Sequence, residues 1–162
     1  MTIVKWLFIV LAALALAAVV AGQLGLLRGK MPADLGVHDG LLKPPSTTSN
    51  SVSSQAALHP AQPMREQAAI APLALRGDGP ATLARIKAIV STTPGATVVT
   101  SAPDYLYAQF ETRWMKYVDD VEFWFDPKAN LVQVRSASRV GRKDFGVNRA
   151  RIEAIRTKLA GG

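Results

Sequence analysis

Val118-Asp119-Asp120-Val121-Glu122-Phe123-Trp124-Phe125-Asp126-Pro127-Lys128-Ala129-Asn130-Leu131-Val132-Gln133-Val134-Arg135-Ser136-Ala137-Ser138-Arg139-Val140 decides the fold. Both arms alternate at the strand period, and Asp126–Asn130 between them is rich in turn formers. On the first arm Val121, Phe123 and Phe125 share a face, and Asp120, Glu122 and Trp124 share the other. On the second, Val132, Val134, Ser136 and Ser138 lie opposite Gln133, Arg135 and Arg139. A one-residue slip would turn the whole apolar set to solvent, so apolar must face apolar. That register sets Phe125 across from Val132, Phe123 from Val134 and Glu122 from Arg135, around a four-residue loop. The last pair would contribute about 0.2–1 kcal/mol if exposed.

The same reading extends outward. Ala102-Pro103-Asp104 turns the chain before Tyr105–Trp114, where Leu106, Ala108 and Phe110 alternate with Tyr105, Tyr107 and Gln109. Thr97–Ser101 is a short β-branched segment. Further upstream, Gly77-Asp78-Gly79-Pro80 opens a helix whose stripe is Leu83, Ile86 and Val90, with Ile89 beside it and Thr93-Pro94-Gly95 as its stop. After Gly146 the helical period returns in Ile152, Ile155 and Leu159, ending at Gly161-Gly162. The predicted domain, residues 64–162, is therefore α+β. It has an antiparallel sheet of about four strands flanked by helices, in two layers. No internal repeat is present.

Residues 1–30 are of another kind. Trp6–Gly22 carries no polar side chain, and the apolar run resumes after Gln23 to Leu27. As a helix, Trp6–Leu27 would measure about 33 Å, enough to cross a bilayer. Trp6 suits one interface and Arg28 with Lys30 the other. A cleaved signal peptide with its site near Val19-Val20-Ala21 is the alternative. The flanking cations nearly cancel, so charge does not set the topology. The expectation is a single-pass anchor in the inner (cytoplasmic) membrane, with the soluble domain on the periplasmic side. Residues 31–63 hold five of the ten prolines and the run Ser46–Ser51, and read as a Pro/Ser/Thr-rich segment partly packed on the domain.

The chain has 162 residues, 19 Lys and Arg against 12 Asp and Glu, and no cysteine. The last number excludes disulfides, thiol nucleophiles and thiolate metal sites. Eight cations fall between Arg135 and Lys158 against Asp144 and Glu153, a net +6 of the chain's +7. For Arg151, Arg156 and Lys158 a solvated helix face is the simple reading; contact with anionic lipid headgroups is another. No nucleic-acid module pattern is present, and nucleic acid is not expected as a partner. Asp144, in the glycine-bounded connector Gly141–Gly146, is placed to cap the last helix. Asn148 sits on that helix's apolar stripe, where its amide needs backbone partners or a site.

The runs Val118–Phe123, Val134–Gly141 and Asp144–Arg149 with Arg151, together with Tyr105–Phe110 and Asn50–Gln55, resemble the DUF1499 family, a domain of unknown function. The likeness extends from about Leu35 to Leu159. It implies a bacterial, membrane-anchored member, with Asn50–Gln55 docked on the domain as an extended segment. The resemblance implies two cysteines in many members where this chain has Pro45 and Ser51; if they form a bond elsewhere in the family, this chain holds Ser49–Gln55 by other means.

Catalytic patterns are thin. His38 and His59 both lie in the linker, and no HExxH, GxSxG, P-loop or GxGxxG occurs. Neighbouring Asp119 and Asp120 point to opposite strand faces, so no metal site and no cofactor are expected. The balance favours a membrane-tethered binding or accessory domain over an enzyme. In it Arg135, Ser136, Ser138, Arg139, Asp144, Asn148 and Arg149 would hold an anionic group, a lipid or a small ligand. Asp120 and Glu122 would pair with Arg135 and Arg139, while Asp119 would cap backbone. Two alternatives stay open: a purely structural polar network whose only role is toward an unspecified protein partner, or a hydrolase or transferase using Asp119, Asp120 or Asp144.

Overall fold

The computed structural model describes residues 2–161. Gly162, the last residue of the predicted helix stop, lies outside the described residues. Helix α1 (Thr2–Gln23) is apolar on every side, and its span Ile3–Gln23 has a mean hydropathy of 2.7. It is long and apolar enough to cross a membrane, a property that a signal sequence near the N-terminus shares. The helix stops at Gln23, four residues short of the predicted Leu27. Gly25, at φ +79°, takes the left-handed position that closes a helix. The Leu26 N–H reaches back to the Ala21 carbonyl, and the Gly25 N–H to that of Gly22.

The rest of the chain is an antiparallel five-stranded sheet with two helices on one face. The strands are β3 (Ser51–Ser53), β4 (Ala96–Ser101), β5 (Tyr105–Glu111), β6 (Val118–Asp126) and β7 (Leu131–Ser138), in the order β3-β7-β6-β5-β4. The β6–β7 register is the one the alternation demands: Phe125 faces Val132, Phe123 faces Val134, and Glu122 faces Arg135. Strand β5 ends at Glu111, not Trp114. Thr112 Oγ1 accepts from the Tyr117 N–H and closes a turn before β6. The fifth strand, β3, comes from the segment upstream of residue 64 and pairs Ser51, Val52 and Ser53 with Ala137, Ser136 and Arg135. Ser51 Oγ accepts from the Ser46 N–H at 2.8 Å, which ties Ser51 to the residue after Pro45. Asn50, Ser53 and Ser54 add further bonds along the same stretch.

Helices α3 (Gly79–Ser91) and α4 (Val147–Gly161) cover one sheet face. Asp78 caps α3 by accepting from the Ala81 N–H, and Pro80 sits in its first turn. Leu83, Ile86 and Val90 meet Ile152, Ile155 and Leu159 over Leu106, Ala108, Val121, Phe123, Val132 and Val134 to form the core. Gly79 is required by space: a Cβ there would lie 2.3 Å from the Phe125 ring.

The other face carries no helix. Residues 31–45 cross it as a strap that includes the two-residue strands β1 (Val37–His38) and β2 (Leu41–Leu42). Leu42 is buried, and Gln55 holds the hairpin by accepting from the Leu42 N–H and donating to the Gly40 carbonyl. A short 3-10 turn (Ala56–Leu58) and the one-turn α2 (Arg65–Ala68) then lead back to the α4 side.

Candidate functional site

The strand period divides the predicted cluster between the two faces of the sheet. Under the strap lie Arg135 and Arg139, and on the helix side lie Ser136, Ser138 and Asn148.

On the strap side, Glu122 is fully buried and Arg135 nearly so. Glu122 accepts from Arg135 Nη1 at 3.4 Å, from Tyr105 Oη at 2.8 Å and from the Gly36 N–H of the strap at 2.7 Å. Arg135 Nε donates to the Pro44 carbonyl. Burial lowers the pKa of the Arg135 guanidinium, with Glu122 and Asp120 opposing that shift. Burial also raises Tyr105 far above its ordinary value, with the Glu122 charge acting in the same direction. The pair read in the sequence as a possible surface contact is therefore an interior one, whose desolvation is offset by the pair together with the bonds from Tyr105 and Gly36 to Glu122 and from Arg135 to Pro44.

One pair further along, Arg139 grips Asp120 with two parallel bonds, Nε to Oδ2 at 2.9 Å and Nη2 to Oδ1 at 2.7 Å. Tyr107 Oη donates to Asp120 at 2.6 Å and accepts from Arg139 and Gln109. The bond with Asp120 raises the Arg139 pKa, against the cost of burial. Burial, together with the Asp120 bond, raises that of Tyr107.

On the helix side, Asn148 is completely buried and uses every hydrogen-bonding position of its amide. Nδ2 donates to the Asn50 carbonyl and to Ser138 Oγ, each at 3.1 Å. Oδ1 accepts from Ser136 Oγ and from Arg151 Nη1. Arg151 also donates to Asp119, and its guanidinium lies 4.6 Å from the centre of the Phe110 ring. Asp119 is thus an ion-pair partner and not the backbone cap that its position suggested. Arg151 belongs to the buried network and not to a solvated face.

Asp144 accepts from the Gly146 and Asn148 N–H groups at 3.1 and 3.0 Å, at the start of α4. Burial pushes its carboxyl up, but these backbone bonds outweigh it and hold the pKa below the ordinary carboxylate value. Arg149 points the other way, donating to the Gln67 and Ala69 carbonyls at 2.8 Å. Arg156, two turns on, donates to the Ala71 and Pro72 carbonyls. The two clamp the chain between α2 and α3, a role that sequence reasoning missed. The Arg149–Arg156 spacing of two turns was its only signal.

These contacts redistribute the basic run. Asp119, Asp120 and Glu122 of β6 neutralise Arg151, Arg139 and Arg135. Among the described residues of the run, Arg142, Lys143, Arg149 and Lys158 have no ion-pair partner, and Arg149 is held by backbone carbonyls instead. Lys143 and Arg149 line an open cleft of about 340 Å³ with Ser49, Met64, Gln67 and Phe145.

A profile of the family described as "Protein of unknown function (DUF1499)" matches residues 41–159. The chain belongs to the DUF1499 family. No curated protein and no solved structure matches it. The matched span opens at Leu41 in the strap, so the DUF1499 domain includes β2, β3 and both faces of the arginine network. It excludes α1, which is a separate element.

Proposed function

We propose that this DUF1499 protein is a single-pass, membrane-tethered accessory domain that performs no chemistry of its own. Its Arg/Ser/Asn cluster is an internal brace. One observation carries this: Arg135, Arg139 and Arg151 each face a carboxylate of β6, and all six side chains are buried or largely buried. An anion arriving at any of them would have to displace a charge already in place. The carboxylates have the same difficulty as acid–base groups, since Asp119 and Asp120 are each engaged by an arginine and Asp144 is held by two backbone N–H groups. The apolar α1 supports the tether; the reading puts it in the inner membrane with the domain on the periplasmic side, and protease protection in spheroplasts tests that orientation.

Replacement of Arg139 in the purified full chain separates brace from ligand site. Arg139→Ala leaves Asp120 buried without its partner and is expected to cost about 3–5 kcal/mol in urea unfolding. Arg139→Lys should recover only part, because an ammonium cannot supply two parallel bonds. Phosphate, sulfate and carboxylates should move the wild-type Tm no more than ionic strength does. If an anion stabilises the wild type but not a well-folded Arg139→Lys, the brace reading fails. A second reading has its own support in the open cleft with Lys143 and Arg149. An anion that stabilises the wild type and Arg139→Lys alike but not Lys143→Ala would assign a small-ligand site there.

A further inference from the structure

Three chain segments meet at one end of the sheet: the exit of α1, the β5–β6 turn at residues 112–117, and the β7–α4 connector at residues 139–146. Gln23 Nε2 donates to the Trp114 carbonyl at 2.9 Å and to that of Arg113 at 3.3 Å. Gly22 approaches Met115 so closely that a Cβ would lie 2.7 Å from its carbonyl oxygen. Gly29 lies against Arg139 and Val140. Tyr117, Val140, Phe145 and Val147 line one open cleft, which joins the turn to the connector.

The apolar groups at this end are out of the core and in solvent. Leu24, Leu26, Trp114, Tyr117 and Val140 are exposed, and Phe145 is 94% exposed. Phe145 also holds a left-handed backbone at φ +53°, which a bulky side chain adopts only at a cost in strain. Among the described residues nothing repays that conformation by burying the ring. Cations surround the patch: Arg28, Lys30, Arg113, Lys116, Arg142 and Lys143, against Glu111 and Asp144. Arg113 stacks on Trp114 at 4.8 Å. The opposite end of the sheet, about 25 Å away at strand rise, has Asp104 and Asp126 with Lys128 at its turns.

We propose that this end of the domain lies on the surface of an anionic bilayer, with Trp114, Tyr117 and Phe145 at headgroup depth and Lys30, Arg113, Arg142 and Lys143 on lipid phosphates, Arg28 and Lys116 being paired with Glu111. The occupant follows from continuity and charge. The patch begins where the apolar helix ends, it carries the aromatic residues that belong at a membrane interface, and its sign is opposite to that of an anionic lipid surface. Phe145 then has the apolar surroundings that its strained backbone offers it to. The inference rests on α1 being retained as the anchor, so the tether is read separately from the surface contact.

Because the chain has no cysteine, single cysteines report single places. An environment-sensitive dye is placed at Leu14→Cys in α1, Val147→Cys beside Phe145, or Ala129→Cys at the far turn. Each full-length variant is reconstituted in phosphatidylcholine vesicles with or without phosphatidylglycerol and with nitroxide-bearing lipid as quencher. Leu14 and Val147 should be quenched and Ala129 should not. Quenching at Val147 should grow with phosphatidylglycerol, fall with salt, and be lost in Phe145→Ser with Trp114→Ser, two exposed positions whose replacement should leave the domain Tm in place. Quenching at Leu14 with none at Val147 overturns the surface contact and leaves the tether. Quenching at Val147 that ignores both lipid charge and salt also overturns it, since the cations would then play no part. Absence of quenching at Leu14 overturns the tether, and the surface contact with it.

Discussion

Asn148 shows what a single polar residue does on an apolar stripe. Its amide joins β3, β7 and α4 through Asn50, Ser136, Ser138 and Arg151, with no donor or acceptor left over. Asn148→Ala therefore takes one partner at once from the Asn50 carbonyl, from Ser136 and Ser138 and from Arg151, leaving the carbonyl only the Ser138 N–H and Arg151 only Asp119 and Ser136. The expected loss is about 2–4 kcal/mol in urea unfolding, larger than an ordinary surface change by several-fold. Asn148→Asp should cost at least as much, because a carboxylate cannot donate to the Asn50 carbonyl. An Asn148→Ala midpoint unchanged from wild type would show the network to be energetically idle. The anomaly of this residue was legible in the sequence, since a polar side chain at a core position of a helix requires partners. The partners were only half legible. Ser136 and Ser138 follow from strand alternation, but the Asn50 carbonyl lies 98 residues away and is a backbone group, which no side-chain pattern encodes.

At the scale of elements, α4 is the informative one. Its arginines made it look like a charged surface, yet Arg149 and Arg156 grip main-chain carbonyls and Arg151 closes onto Asp119. The path of the strap was illegible for a similar reason: besides the buried Leu42 it docks through the Gly36 N–H and the Pro44 carbonyl, and residues 31–45 carry no periodicity to read. The β6–β7 hairpin, by contrast, was readable to the register, because its alternation is expressed in side chains. The start of α4 also sets a pH dependence. Asp144 titrates below its unfolded value, so its charge stabilises the fold above about pH 4, the unfolded carboxyl range. That contribution is lost as pH falls through the lower folded pKa. Asp144→Asn keeps an acceptor for the backbone but not the charge, and should lower stability by about 0.3–1 kcal/mol at neutral pH. The gap between the two Tm curves should close below pH 4. A gap of constant size across the acid range would mean that geometry, not charge, makes the cap.

At the scale of the molecule, the question is whether α1 and the domain are independent bodies. The contacts argue that they are not. Gln23 bonds the β5–β6 turn, Arg28 pairs with Glu111, and Gly22 packs directly on Met115 backbone. The last contact has no soft component, because the atoms facing Gly22 are the carbonyl O, C and Cα of Met115 rather than a mobile side chain. A single methyl at residue 22 should therefore push α1 off the domain while leaving the distant core of Phe123, Ile152 and Leu83 untouched. Gly22→Ala is expected to change the domain's own unfolding free energy by no more than about 0.5 kcal/mol. It should nonetheless broaden the distance distribution between nitroxides at Leu14→Cys and Ala129→Cys, measured by pulsed electron resonance in vesicles. The wild type should give one narrow distribution. Equal widths in the two proteins would mean that the Gly22 contact does not set the domain's attitude, leaving Gln23 and Arg28 as the restraints. A width change without a stability change separates the attitude of α1 to the domain from folding, and on the proposed tether that attitude decides which end of the sheet faces the bilayer.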